Sequence, residues 1–419
     1  MRLIVYSHDA FGLGNIRRML AICQHLLVTI PEVSILVLSG SPAIHNFKIP
    51  ARLDYIKLPC LGRDRNGKLA AKYLTSDIQE TVELRSNLIK TAILNFKPDL
   101  ILVDKKPYGL LKELKPALDI LKARSPQTKL VLLLRDILDS PQKTIQEWQQ
   151  QGYYQAIQHY YDRVLVVGMS EVFNLVQEYQ FPQIVAEKTR FCGYIKKTCL
   201  PYSTALIRTE LGLTASEKLI VVTPGGGEDG YSLIKSYLSA ISQIKDRHRY
   251  KTLIIFGSEM PSVEREKLSQ IIEDRSSIIT LDFTDRLMSY MQAANVIVSM
   301  AGYNTITEIL SLGKKALVIP RCKPSHEQII RASRMHKLGL LTAIDPNSII
   351  TDNLAEAINK RLNNSHQVSA ILNFDGLLNI QQEIISLLSK EQIFLSTEQP
   401  FSLVTNEDRL DSYPFSIAI

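Results

Sequence analysis

Cysteine is scarce in this chain, and its spacing excludes two kinds of architecture. The 419 residues include five cysteines, an odd number, and no two of them form a Cys-x-x-Cys pair. Such a set argues against a zinc site or a disulfide framework and for a reducing compartment. We therefore expect a cytoplasmic protein. Apolar residues make up 45% of the chain, enough to bury two hydrophobic cores.

Long hydrophobic runs are also missing. The first apolar run, residues 3–6, is four residues long, shorter than the apolar region of a signal peptide. No run approaches the ~18 apolar residues of a membrane span. These absences predict a soluble protein that is at most peripheral on a membrane.

Several motifs that bind nucleotides or nucleic acids are absent. No Gly-x-x-x-x-Gly-Lys-[Ser/Thr] loop occurs, and the Gly12-x-Gly14 pair is followed by Arg17 where a dinucleotide fingerprint has its third glycine. No Asp-x-Asp triplet, a common metal-diphosphate motif of sugar transferases, is present. Basic residues are scattered and form no recognised nucleic-acid module. We expect no cofactor, no metal and no nucleic-acid partner.

Positive charge is concentrated in the first half of the chain. Residues 1–200 hold 27 Lys and Arg against 18 Asp and Glu, whereas residues 201–419 hold 22 against 24. A basic half of this kind suits an anionic partner, such as a phospholipid surface or a phosphorylated acceptor. A solvated surface without a partner is the alternative.

Short β-rich runs with little polar alternation recur along the chain, separated by helical stretches. Such runs are typical of parallel strands covered on both faces, and their alternation with helices predicts a doubly wound α/β fold. The predicted strands are 3–6, 34–38, 100–103, 129–134 and 164–167, then 219–223, 252–256, 278–281, 296–299 and 316–319. The predicted helices include 16–27, 77–95, 231–244 and 262–274. Because the series occurs twice, we predict two Rossmann-like domains.

The pattern is weakest over 193–216, which places the domain boundary near residue 200. We predict an N-terminal domain over 1–200 and a C-terminal domain over 201–365. A helical segment over 366–390, with a helix at about 379–389, and a tail of uncertain structure over 391–419 follow.

Three consecutive glycines follow the first predicted strand of the second half. Gly225, Gly226 and Gly227 leave bare backbone N–H groups at the carboxyl end of that strand, just before a helix. Ligands bind at this edge of a parallel sheet, and a helix N-terminus adds positive charge there. The loop therefore suits a diphosphate; a merely flexible connection is the alternative.

The segment from Val296 to Gly339 carries the most specific pattern of the chain. It contains a strand, Ala301-Gly302, a helix with Thr-Ile-Thr-Glu, a strand ending in proline and a helix that starts near Glu327-Gln328. This segment resembles the donor-binding signature of MurG-like glycosyltransferases, of the family 28 C-terminal-domain type, and more closely a group of uncharacterised predicted glycosyltransferases related to them. With the glycine loop and residues 283–285, the resemblance covers most of 217–345. It implies the GT-B fold, in which two Rossmann-like domains face each other across a cleft.

The resemblance also implies a UDP-sugar site in the C-terminal domain. Its members are Gly225, Gly226, Gly227, Phe283, Thr284, Ala301, Gly302, Asn304, Thr305, Glu308, Glu327 and Gln328. Residues 283–284 would touch the uracil, Glu308 the ribose hydroxyls, and the pair 327–328 the sugar. The amides at 301–302 precede a helix, so they can meet a phosphate.

The catalytic base remains open. The first glycine loop of this family usually ends in histidine, whereas this chain has Asn15, which cannot accept a proton at neutral pH. The candidates that follow predicted strands of the first half are Asp9, His8, Asp104 and Asp136. Of these four, we expect His8 to be structural.

The first loop is assigned to the acceptor side. Gly12 and Gly14 permit a tight turn and close approach of the backbone, and Asn15 can orient a hydroxyl group. Arg17 is a candidate for binding an acceptor phosphate, with a solvated helix face as the alternative reading.

The favoured function is transfer of a hexosyl or N-acetylhexosaminyl group from a UDP-sugar to an unknown acceptor, lipid-linked or phosphorylated, with inversion and without a metal. A UDP-sugar 2-epimerase shares the GT-B fold, but it would need acid and base residues grouped at the donor sugar. A non-catalytic nucleotide-sugar-binding protein is the third possibility, and Asn15 is the residue that supports it.

Overall fold

Two separate parallel sheets organise the chain. The computed structural model describes residues 1–8, 14–64, 68–196, 202–244, 249–273, 275–346, 351–363 and 372–395. The first sheet has the order β3-β2-β1-β6-β7-β8-β9 and the second the order β12-β11-β10-β13-β14-β15. Strands β4 and β5 form a small antiparallel pair. The strands are β1 Arg2–Ser7, β2 Ser34–Ser39, β3 Leu53–Lys57, β4 Leu61–Arg63, β5 Leu69–Ala71, β6 Leu100–Asp104, β7 Lys129–Arg135, β8 Arg163–Val167, β9 Thr189–Phe191, β10 Lys218–Thr223, β11 Tyr250–Ile255, β12 Ile278–Leu281, β13 Val296–Ser299, β14 Ala316–Val318 and β15 Thr342–Ala343.

α-Helices connect most successive parallel strands, whereas β2 and β3 are joined by a short 3₁₀ helix, Ile44–Asn46. The α-helices are α1 Gly14–Thr29, α2 Ile78–Phe96, α3 Lys115–Arg124, α4 Pro141–Gln151, α5 Tyr153–Tyr160, α6 Leu175–Glu178, α7 Gln183–Glu187, α8 Thr204–Glu210, α9 Tyr231–Ile241, α10 Ser262–Ile272, α11 Leu287–Ala293, α12 Tyr303–Ser311, α13 Glu327–Lys337, α14 Thr351–Asn363 and α15 Gly376–Leu395. None of the helices in the described ranges is long and apolar enough to cross a membrane.

The central strands are buried on both faces, which explains their unbroken apolar sequences. In β1, Leu3 and Val5 pack into one hydrophobic cluster, while Ile4 and Tyr6 pack into another on the opposite face of the sheet. Alternate side chains of a strand point to opposite faces, so two helical layers can cover the sheet only if both sets are apolar.

The chain crosses between the two sheets at two adjacent segments. Ile195 and Asp375 form an antiparallel bridge. The Tyr194 N–H donates to the Asn373 carbonyl at 2.8 Å, and the Gly376 N–H donates to the Tyr194 carbonyl at 3.1 Å. The two crossings are therefore hydrogen-bonded to each other and form one connection between the domains.

Helix α15 returns to the N-terminal sheet. Ile380 and Ile384 are fully buried, and Asn379 Nδ2 donates to the Cys192 carbonyl at 2.7 Å. Glu383 Oε2 lies 3.2 Å from Arg163 Nε. The helix predicted at 379–389 is thus longer, 376–395, and it packs on the first domain; residues 396–419 lie outside the described ranges.

Candidate functional site

The two domains touch where the carboxyl ends of their strands come together. Arg135 Nη2 lies 2.8 Å from Glu327 Oε2, and the His326 N–H donates to Asp139 Oδ1 at 2.9 Å. Further along α13, Arg334 Nη2 lies 2.5 Å from Glu178 Oε1. The edge at which parallel sheets bind ligands is therefore shared by both domains.

The glycine loop after β10 is tightly packed. Gly225 and Gly227 have φ of +89° and +103°, in the left-handed region. A Cβ on Gly227 would lie 2.5 Å from the Phe256 carbonyl oxygen, and one on Gly226 would lie 2.7 Å from Glu259 Oε2. Only glycine allows the loop to lie this close to the segment after β11. This packing argues against a merely flexible connection.

The N-terminus of α12 lies beside the same loop. Thr305 Oγ1 would be 3.1 Å from a Cβ on Gly225, and Gly302 precedes the helix without a side-chain capping bond. The first amides of α12 and those of the glycine loop can therefore act on one anion. Asn304 Nδ2 donates to the Gly14 carbonyl at 3.5 Å, which connects this helix to the first residue of α1.

Three other residues that the resemblance predicts for the donor site, Glu308, Phe283 and Thr284, are more scattered. Glu308 is half-buried on α12, in the turn after Thr305. Phe283 follows β12 and is 52% exposed, and the Arg286 N–H donates to Thr284 Oγ1 at 3.0 Å. Strand β12 lies at the edge of the sheet, and β11 separates it from β10. Residues 283–284 are therefore on the same side of the sheet end as the glycine loop but not next to it.

Glu327 and Gln328 begin α13, and both are 5% exposed. Gln328 Oε1 accepts from the N–H of Ala301 at 3.1 Å and from that of Arg321 at 3.3 Å. Burial alone would raise the pKa of Glu327, but Arg135 and other nearby arginines outweigh it and hold the pKa below its ordinary value. Glu327 is therefore ionised, and Gln328 links the starts of α12 and α13.

Asp136 forms a buried ion pair with an arginine of the other domain. Arg331 donates from Nε to Asp136 Oδ2 at 2.9 Å and from Nη2 to Oδ1 at 2.7 Å. The Asp136 side chain is 0% exposed and the Arg331 side chain 1%. Arg331 Nη1 also donates to the Ala301 carbonyl at 2.8 Å. A carboxylate paired in this way is not open to an acceptor hydroxyl. The geometry thus argues against Asp136 as the base and makes it a link between the domains.

Asp104 and Asn15 both turn toward the end of β1. Asp104 Oδ1 accepts from Arg18 Nη2 at 2.8 Å, and Asp104 Oδ2 accepts from the His8 N–H at 3.3 Å. Asn15 Nδ2 donates to the His8 carbonyl at 2.7 Å. The ion pair of Asp104 with Arg18 is buried, so its geometry also argues against a role as base. Asp9 and Gly12 lie outside the described residues.

Three cations that the sequence analysis did not single out lie near Glu327, where the two domains meet. Lys105 follows β6 with φ of +71°, an unusual conformation for a residue other than glycine. Burial and the nearby Arg135 lower the pKa of Lys105 to about 8. Lys105, Arg135 and Arg321 all act on Glu327. Their positions are the signal that could have identified them, since Arg135 ends β7 and Lys105 and Arg321 follow β6 and β14.

Arg17 faces the second domain from α1. It is exposed, and it is close enough to Glu259, which is also exposed, to lower that carboxyl's pKa. Partial desolvation of the carboxyl group and the neighbouring Glu228 nevertheless leave the pKa of Glu259 above its ordinary value. Arg17 is therefore placed across the cleft from the glycine loop.

Residues 219–374 match the glycosyltransferase family 28 C-terminal domain. This range contains the glycine loop, α12 and α13. The match to this family therefore lies in the second half of the chain.

The chain is also similar to curated enzymes over part of its length. The UDP-N-acetylglucosamine–N-acetylmuramyl-(pentapeptide) pyrophosphoryl-undecaprenol N-acetylglucosamine transferase of Caldicellulosiruptor saccharolyticus is 23% identical over 154 residues. The aligned part is 36% of this chain and 41% of that enzyme. The chain thus matches about two fifths of the length of this relative.

Solved structures resemble the whole fold. MurG of Acinetobacter baumannii superposes with a TM-score of 0.56 at 13% identity, covering 93% of this chain and 99% of that one. The UDP-GlcNAc 2-epimerase of Neisseria meningitidis, solved with UDP-GlcNAc, gives 0.59 at 14% identity, covering 93% and 100%. The predicted GT-B fold, with two Rossmann-like domains, is confirmed.

Proposed function

We propose that the protein is a glycosyltransferase that moves a hexosyl or N-acetylhexosaminyl group from a UDP-sugar to an acceptor on the N-terminal domain. The observation that carries the proposal is the meeting of the glycine loop, the N-terminus of α12 and the start of α13 at one edge of the C-terminal domain. Backbone amides and helix N-termini can stabilise a leaving diphosphate there without a metal ion. An acceptor that approaches from the opposite domain displaces the diphosphate from the far side of the anomeric carbon, which inverts its configuration.

The acceptor is proposed to carry phosphate, either free or linked to a lipid. Lys105 and Arg135 stand at the N-terminal edge of the cleft, and Arg321 approaches from the other domain. Arg17 also faces the cleft. Glu327 is one carboxylate among these cations, so an anionic acceptor would improve the charge balance.

A UDP-sugar 2-epimerase is the second candidate, and the likeness to the Neisseria meningitidis enzyme favours it. Such an enzyme needs acid and base side chains at the donor sugar, whereas Glu327 and Asp136 are both ion-paired with arginines. The sequence match is to family 28. We therefore expect UDP-GlcNAc incubated without acceptor to remain unchanged when its C2 epimer is assayed by chromatography.

Nucleotide binding tests the donor site directly. We expect UDP to raise the melting temperature more than ADP or GDP at equal concentration, because a ligand stabilises the folded state in proportion to the logarithm of its concentration over Kd. Equal shifts for the three nucleotides would contradict a uracil-selective site. Binding of UDP-sugars without product formation from any phosphorylated acceptor would favour a non-catalytic binding protein.

The N-terminal domain is further proposed to contact an anionic membrane surface. The hairpin β4–β5, the start of α2 and Leu110 share a small apolar cluster. Beside it, Tyr73, Leu84 and Leu111 are 67%, 47% and 49% exposed. The exposed lysines among the described residues of this region include Lys68, Lys72, Lys112 and Lys115. Exposed apolar side chains together with cations suit an anionic lipid interface.

Sedimentation with vesicles tests this surface. Leu84→Ser combined with Leu111→Ser should reduce the fraction bound to phosphatidylglycerol-containing vesicles, because it removes apolar area from the contact. Val263→Ser is the control, since Val263 is 59% exposed on α10 of the other domain. Equal binding of wild type, double variant and control would contradict the proposed surface.

A further inference from the structure

The backbone of His8 is held between two polar side chains at the end of β1. The His8 N–H donates to Asp104, and Asn15 donates to the His8 carbonyl. Arg18 joins these two residues, because its Nη2 donates to Asp104 Oδ1 at 2.8 Å and to Asn15 Oδ1 at 3.2 Å. Side chains from α1 and β6 thus fix the point at which His8 leaves the strand.

The imidazole of His8 is not fixed in this way. The residue is 5% exposed, and its Nδ1 has no hydrogen-bond partner in the described part of the chain. A buried polar atom without a partner is costly, and in a native protein it calls for an explanation such as a catalytic role or a missing ligand. The Nδ1 atom is itself buried, so an acceptor hydroxyl group reaches it only when the imidazole turns toward the cleft.

Cations surround this imidazole. Burial, followed by the charges of Lys105, Lys106 and Arg135, lowers the pKa of His8 well below its ordinary value. Among the residues that the structure describes, the charged groups around it are Lys105, Lys106, Arg135, Arg85, Arg18 and Asp104. His8 is consequently neutral at physiological pH, which is the form that can accept a proton.

We infer that His8 is the general base of the transfer, an inference that rests on the proposed function. The acceptor hydroxyl oxygen forms a bond to the anomeric carbon of the donor, and its proton passes to the imidazole. The bond between that carbon and the diphosphate oxygen breaks, and UDP leaves with the bonding electrons. Asp104, Asn15 and Arg18 are positioning residues that hold the His8 backbone. Phosphate on the acceptor offsets the charge of the imidazolium among its cationic neighbours.

Substitution of His8 tests the inference once the wild type shows turnover with a UDP-sugar and an acceptor. His8→Gln should lower kcat by ~10²–10⁴-fold, the usual loss for a general base, while the Kd for UDP is unchanged. The wild-type kcat/KM should stay flat down to a pH below ~6.5, because the lowered pKa keeps the imidazole neutral there. Below that pH the wild-type kcat/KM should fall as the imidazole takes up a proton, and His8→Gln should not show this fall. His45→Gln, on the exposed 3₁₀ turn after β2, is the matched control and should behave as wild type.

A second measurement does not depend on turnover. In NMR titrations of the wild type, the His8 imidazole should remain neutral through the pH range in which exposed histidines titrate, and inorganic pyrophosphate should raise its pKa. Full kcat in His8→Gln, or an imidazole pKa unaffected by pyrophosphate, would overturn the inference. Absence of wild-type turnover with every acceptor would instead contradict the proposed function, and the titration would then decide the inference alone. The same titration of the wild type also decides the inference if His8→Gln does not fold.

Discussion

Glu308 lies half-buried on α12, in the helix whose N-terminus faces the glycine loop. If its carboxylate accepts hydrogen bonds from the ribose, Glu308→Ala should weaken UDP binding by about 1–3 kcal/mol, the scale of a lost charge-assisted pair. Isothermal calorimetry measures the change. Glu266→Ala, at an exposed position of α10, is the control and should leave Kd unchanged. Equal affinities for the two variants would make Glu308 a structural residue.

The positions of single residues at strand ends could be predicted, whereas their partners could not. Asp104 and Asp136 each follow an apolar run, so their place at a carboxyl end is evident from the sequence. The arginine that pairs with Asp136 lies 195 residues further along the chain, on a helix of the other domain. Local patterns contain no information about such a contact. For the same reason the burial of His8 among cations was missed, and we expected it to be structural.

The glycine loop and the segment after β11 pack as one unit. Gly227→Ala should destabilise the protein for two reasons: its φ of +103° strains any L side chain, and a Cβ would meet the Phe256 carbonyl oxygen at 2.5 Å. The strain costs about 1–2 kcal/mol and the overlap about 1–3 kcal/mol more.

Gly313→Ala is the matched control for this prediction. Gly313 also has a positive φ, +62°, but nothing lies within 4 Å of its added Cβ. It should therefore show only the conformational cost. Urea denaturation compares the two variants, and equal losses of unfolding free energy would show that the loop can move away from residues 256–257.

Strands buried on both faces were predictable, whereas β12 is the only one of the four strands at the edges of the two parallel sheets that was predicted. The interior strands β1, β6, β7, β10 and β13 have unbroken apolar sequences that indicate buried parallel pairing. Strand β3 reads Leu-Asp-Tyr-Ile-Lys and is only partly buried, because it lies at the sheet edge. Its polar residues conceal it among loop sequences. Strand β9 is only three residues long, also lies at an edge, and was missed as well.

The contact between the domains is concentrated on one face of α13. Glu327, Arg331 and Arg334 are spaced four and three residues apart, so they lie on one side of the helix. Each pairs with a residue of the N-terminal domain: Arg135, Asp136 and Glu178. The helix that carries the predicted sugar-binding pair thus also links the two domains.

Asp136→Asn separates the two roles considered for this carboxylate. If Asp136 chiefly links the domains, the substitution leaves Arg331 buried without its counter-charge and should cost about 3–5 kcal/mol of unfolding free energy. Lys115→Met breaks the exposed pair with Asp119, in which both side chains are nearly half exposed, and should cost less than ~1 kcal/mol. Guanidinium denaturation measures the loss of unfolding free energy. An activity assay at a guanidinium concentration well below the unfolding midpoint then shows whether the folded variant retains turnover. A variant with wild-type stability and no turnover would favour Asp136 as the base, in conflict with the assignment of His8. A destabilised variant that retains kcat would confirm that the ion pair between Asp136 and Arg331 is structural.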